Sequence, residues 1–494
     1  MQLADQLHII LRSLSGFRPE VFLISAIALV VVADLVWLRR NPVTHQRILF
    51  SLSIGAVLIA GALVFDQFQR ENGFLFDTLL YLDNQAVFFK LIVTLATLIA
   101  LVHAWVLPSK STPLDWLPIL LSLLLGLYLM TMSVNLLMVY LSIEVVSISS
   151  YLLTALSASR KASEGGIKYL LFGAVSSAIM LYGISLLYGL TGTLDLSSSL
   201  MEVELAKNTA YVVYVAGFLT IAGILFKLSL VPFHIWTPDV YEAAPTPIVS
   251  FFSVAPKAAA LLVLMRLLTA LPADFQTPMA VISLASITLG NLSALWQTDA
   301  KRLLAYSTIA HAGFLLVGLV AFNEVGFEAT TFYVATYLFI NMAAFVLLDL
   351  LAQPQKGELQ LQDLQGLGSQ YPLLSLALTV VAIALTGLPP TVGFTAKLLV
   401  FSALWEAFQQ TGNSWLVALF AIGLLNAVVS LFYYLKLPFL LYFRARISDN
   451  TASEAVLITP VSHRSGTILA LLLTIPILLF FFQPNWLARW IASF

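Results

Sequence analysis

The sequence predicts an all-α polytopic membrane protein of about 14 transmembrane helices, built as two inverted five-helix repeats with broken helices 7 and 12. Two observations predict the class. Of 494 residues, 60% are hydrophobic and only 10% charged, against about 25% charged in a soluble domain. Apolar runs of about 20 residues, long enough to cross a bilayer as a helix, recur from one end to the other. A third observation, two proline-rich interruptions five spans apart, predicts the repeats.

The first three runs, 21–38, 48–66 and 86–107, lie in an N-terminal segment, 1–115. The residues before them, MQLADQLHIILRSLSGFRPE, lack the basic start, apolar middle and small-residue cleavage site of a signal peptide. Asp34 and Lys90, near the ends of these early spans, read as structural. Runs four to eight (116–132, 134–156, 166–190, 209–231 and 245–270) form the first repeat, 116–270. Runs nine to thirteen (276–297, 303–322, 328–352, 372–402 and 414–440) form the second, 271–440. Run fourteen, 466–483, closes a C-terminal segment, 441–494. The most polar stretch, QPQKGELQLQDLQGLGSQ, reads as a loop or surface helix.

Loop charge sets the orientation. Arg39, Arg40, Arg47, Lys110, Arg160, Lys161, Lys301, Arg302, Lys356, Arg444 and Arg446 follow odd-numbered spans, whereas only Arg70 and Lys207 follow even ones. Because cytoplasmic loops carry the excess of basic residues, the odd loops are expected inside and both termini outside a bacterial cell membrane.

The seventh span reads ILFKLSLVPFHIWTPD, with Pro232 and Pro238 on either side of a His and a Trp; the twelfth reads ALTGLPPTVGFTAKLLVF, with Gly387, Pro389, Pro390 and Gly393 together. Proline removes a helical hydrogen bond and clashes with the preceding turn. Backbone freed at membrane depth is tolerated only inside protein or beside water. A tandem repeat of five helices, an odd number, is inverted in topology, and each break has a lysine close by. Two ordinary proline kinks are the plain alternative.

Glu144, Lys168, Lys227, Lys257 and Lys397 interrupt otherwise apolar runs. A charge at the bilayer centre costs roughly 2.5–3.5 kcal/mol even on lenient insertion scales, so such residues face a partner or a water-filled path. Lys227 and Lys257 have no charged neighbour one turn away on their own helices, so a partner must come from another helix. Glu144 is the deep acid of the first repeat, and pairing with Lys227 or Lys168 would neutralise it. A mobile Glu144 would then switch a lysine between holding and releasing a proton. Lys397 has no acid in its own span nearer than Glu406, which suits a terminal proton donor or acceptor. His234 in the first break and His311 in the tenth span suit a relay, or equally a packing role. Lys168, a few residues inside its span, could instead snorkel to the cytoplasmic surface. Arg266 reads as an interfacial anchor, Asp239 as a cap on the interrupted segment, and the aromatic residues as lipid-facing bulk and interfacial belt.

Composition also excludes functions. The net charge of −1 offers no footprint for nucleic acid. With no cysteine, iron–sulfur clusters, thiolate metal sites and disulfides are ruled out. Neither a dinucleotide fingerprint nor a P-loop is present.

The strings VPFHIWTPDVYEAAPTPIVSFFSVAPKAAALL (231–262), KRLLAYSTIAHAGF (301–314) and GLPPTVGFTAKLLVF (387–401) together resemble the antiporter-like membrane subunits of proton-pumping NADH:quinone oxidoreductase, respiratory complex I, over residues 116–440. The context SVAPKAA, the lysine in GFTAK where subunit M has a glutamate, and an end at Phe494 without the lateral helix of subunit L favour the subunit N branch, counterpart of mitochondrial subunit 2. The resemblance implies that Glu144 tunes Lys227 and that Lys257 with His234 and His311 crosses the midplane. It also implies that Lys397 leads to the exit side and that Lys168 matches a functional sixth-helix lysine. It further implies subunits of the M, L, K and J types as partners in the lipid bilayer. No cofactor is expected in this chain; NADH, FMN, iron–sulfur clusters and quinone would belong to partner subunits. The resemblance does not extend to the N-terminal region or to a polar insert near 356–370. Subunits of multisubunit cation/proton antiporters, membrane-bound hydrogenases and ferredoxin-driven photosynthetic complexes share this pattern; a structural spacer would not need the buried charges.

Overall fold

Helices carry nearly all of the chain, as a lipid-soluble backbone requires, because each N–H and C=O must find its partner within the segment. The computed structural model describes residues 2–37, 42–68, 72–108, 113–157, 159–352, 360–444 and 464–493. The loop cations Arg39, Arg40, Arg70, Lys110, Lys356 and Arg446 lie outside the described residues.

The chain divides into two compact units, residues 1–102 with 109–278, and residues 103–108 with 279–493. The first begins with α1 (Gln2–Gly16), α2 (Arg18–Trp37) and α3 (Pro42–Gln67). A hairpin of β1 (Gly73–Leu75) and β2 (Leu80–Leu82), with Phe74 opposite Tyr81, leads into α4 (Asn84–Val106). Next come α5 (Trp116–Met132), α6 (Leu136–Ala155), α7 (Arg160–Thr191) and α8 (Ser199–Lys207). The run to Ala270 is divided into α9 (Ala210–Leu228), α10 (Thr237–Ala243), α11 (Thr246–Phe252) and α12 (Ala255–Ala270).

The second unit is built on α13 (Gln276–Leu295), α14 (Ala300–Val320), α15 (Glu324–Ala352) and the short α16 (Leu367–Gln370). Then follow α17 (Pro372–Thr386), α18 (Val392–Thr411), α19 (Ser414–Phe443), α20 (Arg464–Phe482) and α21 (Pro484–Ile491). Ends follow local chemistry. Asn135, Ser159 and Asp299 cap the N-termini of α6, α7 and α14 by accepting from backbone N–H groups, and left-handed Gly192 and Gly412 close α7 and α18.

Among the described residues, twelve spans are long and apolar enough to cross a membrane; α5 and α17 are apolar but only 17 and 15 residues long. Each of the predicted runs falls on helix, two of them divided: 245–270 into α11 and α12, and 372–402 into α17 and α18. The hairpin, α1, α8 and α21 are not anticipated, because none carries a 20-residue apolar run. In the first unit α12 is the most enclosed helix, and in the second α14 and α15 are; α2, α19 and α20 show mostly exposed apolar faces. The enclosed helices are the ones that carry Lys257 and His311.

Candidate proton-relay site

The first break begins where α9 stops at Leu228. Ser229 takes a left-handed conformation with φ 60°, and the chain runs through turns to α10. A helix ending at membrane depth leaves carbonyls unsatisfied and carries the negative end of its dipole. Lys257, in the first turn of α12, answers both needs: its Nζ donates to the Leu228 carbonyl at 2.9 Å. Lys227 occupies the last turn of the same α9, so one helix end brings the two lysines together.

Lys227 is only 2% exposed, and its Nζ has no hydrogen-bond partner among the described residues. Glu144 is half-buried on α6, and its Oε1 is likewise buried without a partner. No hydrogen bond joins the two side chains. Ser229 Oγ, His234 Nδ1 and Trp236 Nε1 are further buried polar atoms at this break without hydrogen-bond partners among the described residues. Each such atom costs about 1–3 kcal/mol unless something accepts or donates to it.

The expected pairing of Glu144 with Lys227 or Lys168 is not found. Lys168 in α7 bonds Asp239 in the first turn of α10 at 2.8 Å and Glu164, one turn back, at 2.9 Å. The side chain is half-exposed and has two acids within reach, so its charge is balanced without Glu144. Asp239 is thus an ion-pair partner as well as a first-turn acid. Arg266 also departs from the anchor reading: it makes two 2.9 Å bonds to Asp83 and is 12% exposed.

The second break repeats the chemistry of the first. α17 ends at Gly387 with φ 84°, and α18 restarts at Val392. Lys397 Nζ donates to the freed carbonyls of Thr386 at 2.7 Å and Leu385 at 3.2 Å, and lies 4.5 Å from the centroid of the Phe314 ring. Phe314 packs in turn on His311, with ring centroids 6.1 Å apart, so this unit brings Lys397 and His311 together. His311 uses both nitrogens, Nδ1 with Tyr333 Oη at 2.8 Å and Nε2 with Tyr434 Oη at 3.1 Å. Tyr434 Oη also bonds Ser307, and Tyr433 donates to Asn291 at 2.7 Å. An imidazole held between two phenols can pass a proton through its ring. Sequence reasoning missed these tyrosines; a possible signal was a polar aromatic in a helix that also carries other buried polar groups.

Gly387 is required twice over. Its φ suits glycine, and a Cβ there would fall 2.6 Å from Lys397 Cδ. Gly387→Ala is expected to add about 1–2 kcal/mol of backbone strain and to push Lys397 off the carbonyls. The checks are a lower thermal midpoint for the purified assembly and slower proton translocation in vesicles.

This is a polytopic helical membrane protein with lysines buried at two broken helices. A family model described as "NADH:quinone oxidoreductase/Mrp antiporter, TM" matches residues 133–425. NADH-quinone oxidoreductase subunit N of Chlorobium chlorochromatii (strain CaD3) is 37% identical over 97% of this chain and 95% of its own. NAD(P)H-quinone oxidoreductase subunit 2 of Synechocystis sp. (strain ATCC 27184 / PCC 6803 / Kazusa) is 36% identical over 85% of this chain and 80% of its own. Among solved structures, a chain of respiratory complex I from Thermus thermophilus with bound aureothin superposes with TM-score 0.77 at 27% identity, covering 95% of this chain and 98% of that one. A chain of the Mrp complex from Dietzia sp. DQ12-45-1b shares the fold, with TM-score 0.76 at 21% identity, covering 95% and 94%. The chain belongs to the NADH:quinone oxidoreductase/Mrp antiporter family, in the branch of the NADH-quinone oxidoreductase subunits N.

Proposed function

We propose that the chain is the proton-translocating membrane-arm subunit of a complex I-type NADH:quinone oxidoreductase. The observation that carries this reading is a lysine on the freed carbonyls of each broken helix, Lys257 and Lys397, in a chain 37% identical to a subunit N over nearly its whole length. Protons enter from the cytoplasm and leave outside. Glu144 modulates Lys227, Lys257 with His234 and His311 carries the connection across the midplane, and Lys397 serves the exit. Lys168, tied to Asp239 on the helix that follows the first break, serves the loading side. NADH, FMN, iron–sulfur clusters and quinone act in partner subunits, and the neighbours in the bilayer are of the M, L, K and J types. The membrane is a bacterial cell membrane, with both termini outside.

Purification of the tagged chain from its native membranes tests the assignment. NADH-oxidising, quinone-reducing subunits should accompany it, and the assembly should acidify or alkalinise vesicles when NADH is supplied. Recovery with cation/proton antiporter subunits alone, without NADH oxidation, would overturn it.

A further inference from the structure

The ammonium of Lys227 ends among rings. Its Nζ lies 5.8 Å from the ring centroid of Tyr151, 5.7 Å from that of Tyr169 and 5.7 Å from that of Phe226. The walls hold one another. Tyr169 stacks on Trp236 at 4.1 Å with ring planes 12° apart, Tyr151 meets Tyr169 edge-on at 4.8 Å, and Phe226 leans on Trp236 at 5.2 Å. Tyr169, Phe226 and Trp236 are all buried. On α7, Gly173 leaves room for the Tyr151 ring: a Cβ at Gly173 would fall 1.7 Å from Tyr151 Oη and 3.2 Å from the Phe226 ring.

A ring face attracts a cation through its quadrupole, most strongly where water is excluded. Unlike a carboxylate, it has no lone pair that takes the proton. A cage of rings therefore holds a charged lysine without competing for what the lysine carries.

We propose that Tyr151, Tyr169 and Phe226 form an aromatic cage that holds the Lys227 ammonium when it is not in contact with Glu144. Gly173 and Trp236 are positioning residues that keep the cage closed. The proposal rests on the proton-relay role of Lys227. In the cage the charge is stabilised but the proton stays on Nζ; it leaves only when Glu144 or another acceptor comes within hydrogen-bond distance. The separation of Glu144 from Lys227 is then one of two resting positions rather than a defect of pairing.

The test uses the whole complex in vesicles, with proton translocation measured per NADH oxidised. Tyr151→Leu should lower translocation by about fivefold, the rate equivalent of one cation–π contact, and Tyr151→Phe should recover most of it. Gly173→Ala should reproduce the loss. Fluorinated phenylalanines at position 226 keep the shape of the ring and weaken its quadrupole, so translocation should fall stepwise with the number of fluorines. A purely structural wall would leave that series flat, and a flat series overturns the cage. Lys227→Ala separates the two ideas: if it pumps normally the relay fails, and if it is inactive while the fluorine series is flat only the cage fails.

Discussion

Lys227→Ala is expected to cut proton translocation by about a hundredfold or more, the usual contribution of a positioned proton-transfer group, while the complex still assembles. Assembly survives because the Lys227 Nζ makes no hydrogen bond among the described residues, so truncation orphans no backbone or side-chain partner there. Alanine is also the strongest helix former, so the last turn of α9, which holds Lys227, keeps its helical preference. Lys227→Arg divides the possible roles of the residue. Arginine keeps the charge and the length but does not release its proton, so a structural cation would be rescued and a relay would not. Glu144→Gln preserves the shape of α6 and removes only the charge that acts on Lys227, and should slow translocation less than the lysine variants. Proton movement into reconstituted vesicles, driven by NADH, reads all three. Normal pumping by both Lys227→Ala and Glu144→Gln would sink the relay.

What was legible in the sequence was whatever breaks a lipid-spanning pattern. Glu144, Lys227, Lys257 and Lys397 stand out because each is costly in an apolar run, and the breaks stand out because Pro232, Pro238, Pro389 and Pro390 interrupt helices. Which group meets which was not legible. Lys168 finds Asp239, 71 residues away, because the chain turns at the first break and brings the start of α10 beside α7. Lys257 and Lys397 both turn out to bind backbone rather than side chains, and freed carbonyls have no residue letter. Tyr151, Tyr169 and Trp236 were hidden for a different reason: most membrane aromatics face lipid or the interface, and composition does not separate the few that turn inward. Glu20 was hidden by one residue of boundary. It lies just before the first apolar run, and only the start of α2 at Arg18 brings it inside the fold.

That misplaced acid gives the largest expected effect on stability. Glu20 and Lys90 are both 0% exposed, with Nζ and Oε1 2.6 Å apart. Lys90 also donates to Gln67 Oε1 at 3.2 Å and lies 5.5 Å from the centroid of the Tyr128 ring, whereas Glu20 Oε2 has no partner among the described residues. Removing one member of a buried pair leaves a bare charge and costs about 3–5 kcal/mol, while replacing both with apolar groups of similar volume is often neutral or stabilising. The surroundings set an order. Lys90→Met strips Glu20 of its only charged contact among the described residues and leaves both carboxylate oxygens without a donor there, so it should be the worst variant. Glu20→Leu leaves Lys90 with Gln67 and the Tyr128 ring, so it should cost less. The Glu20→Leu/Lys90→Met double variant should recover most of the loss, measured as the thermal midpoint of the detergent-solubilised complex. The pair would then serve to hold α2 and α4 in register rather than to add net stability, and a double variant no more stable than Lys90→Met alone would refute that reading.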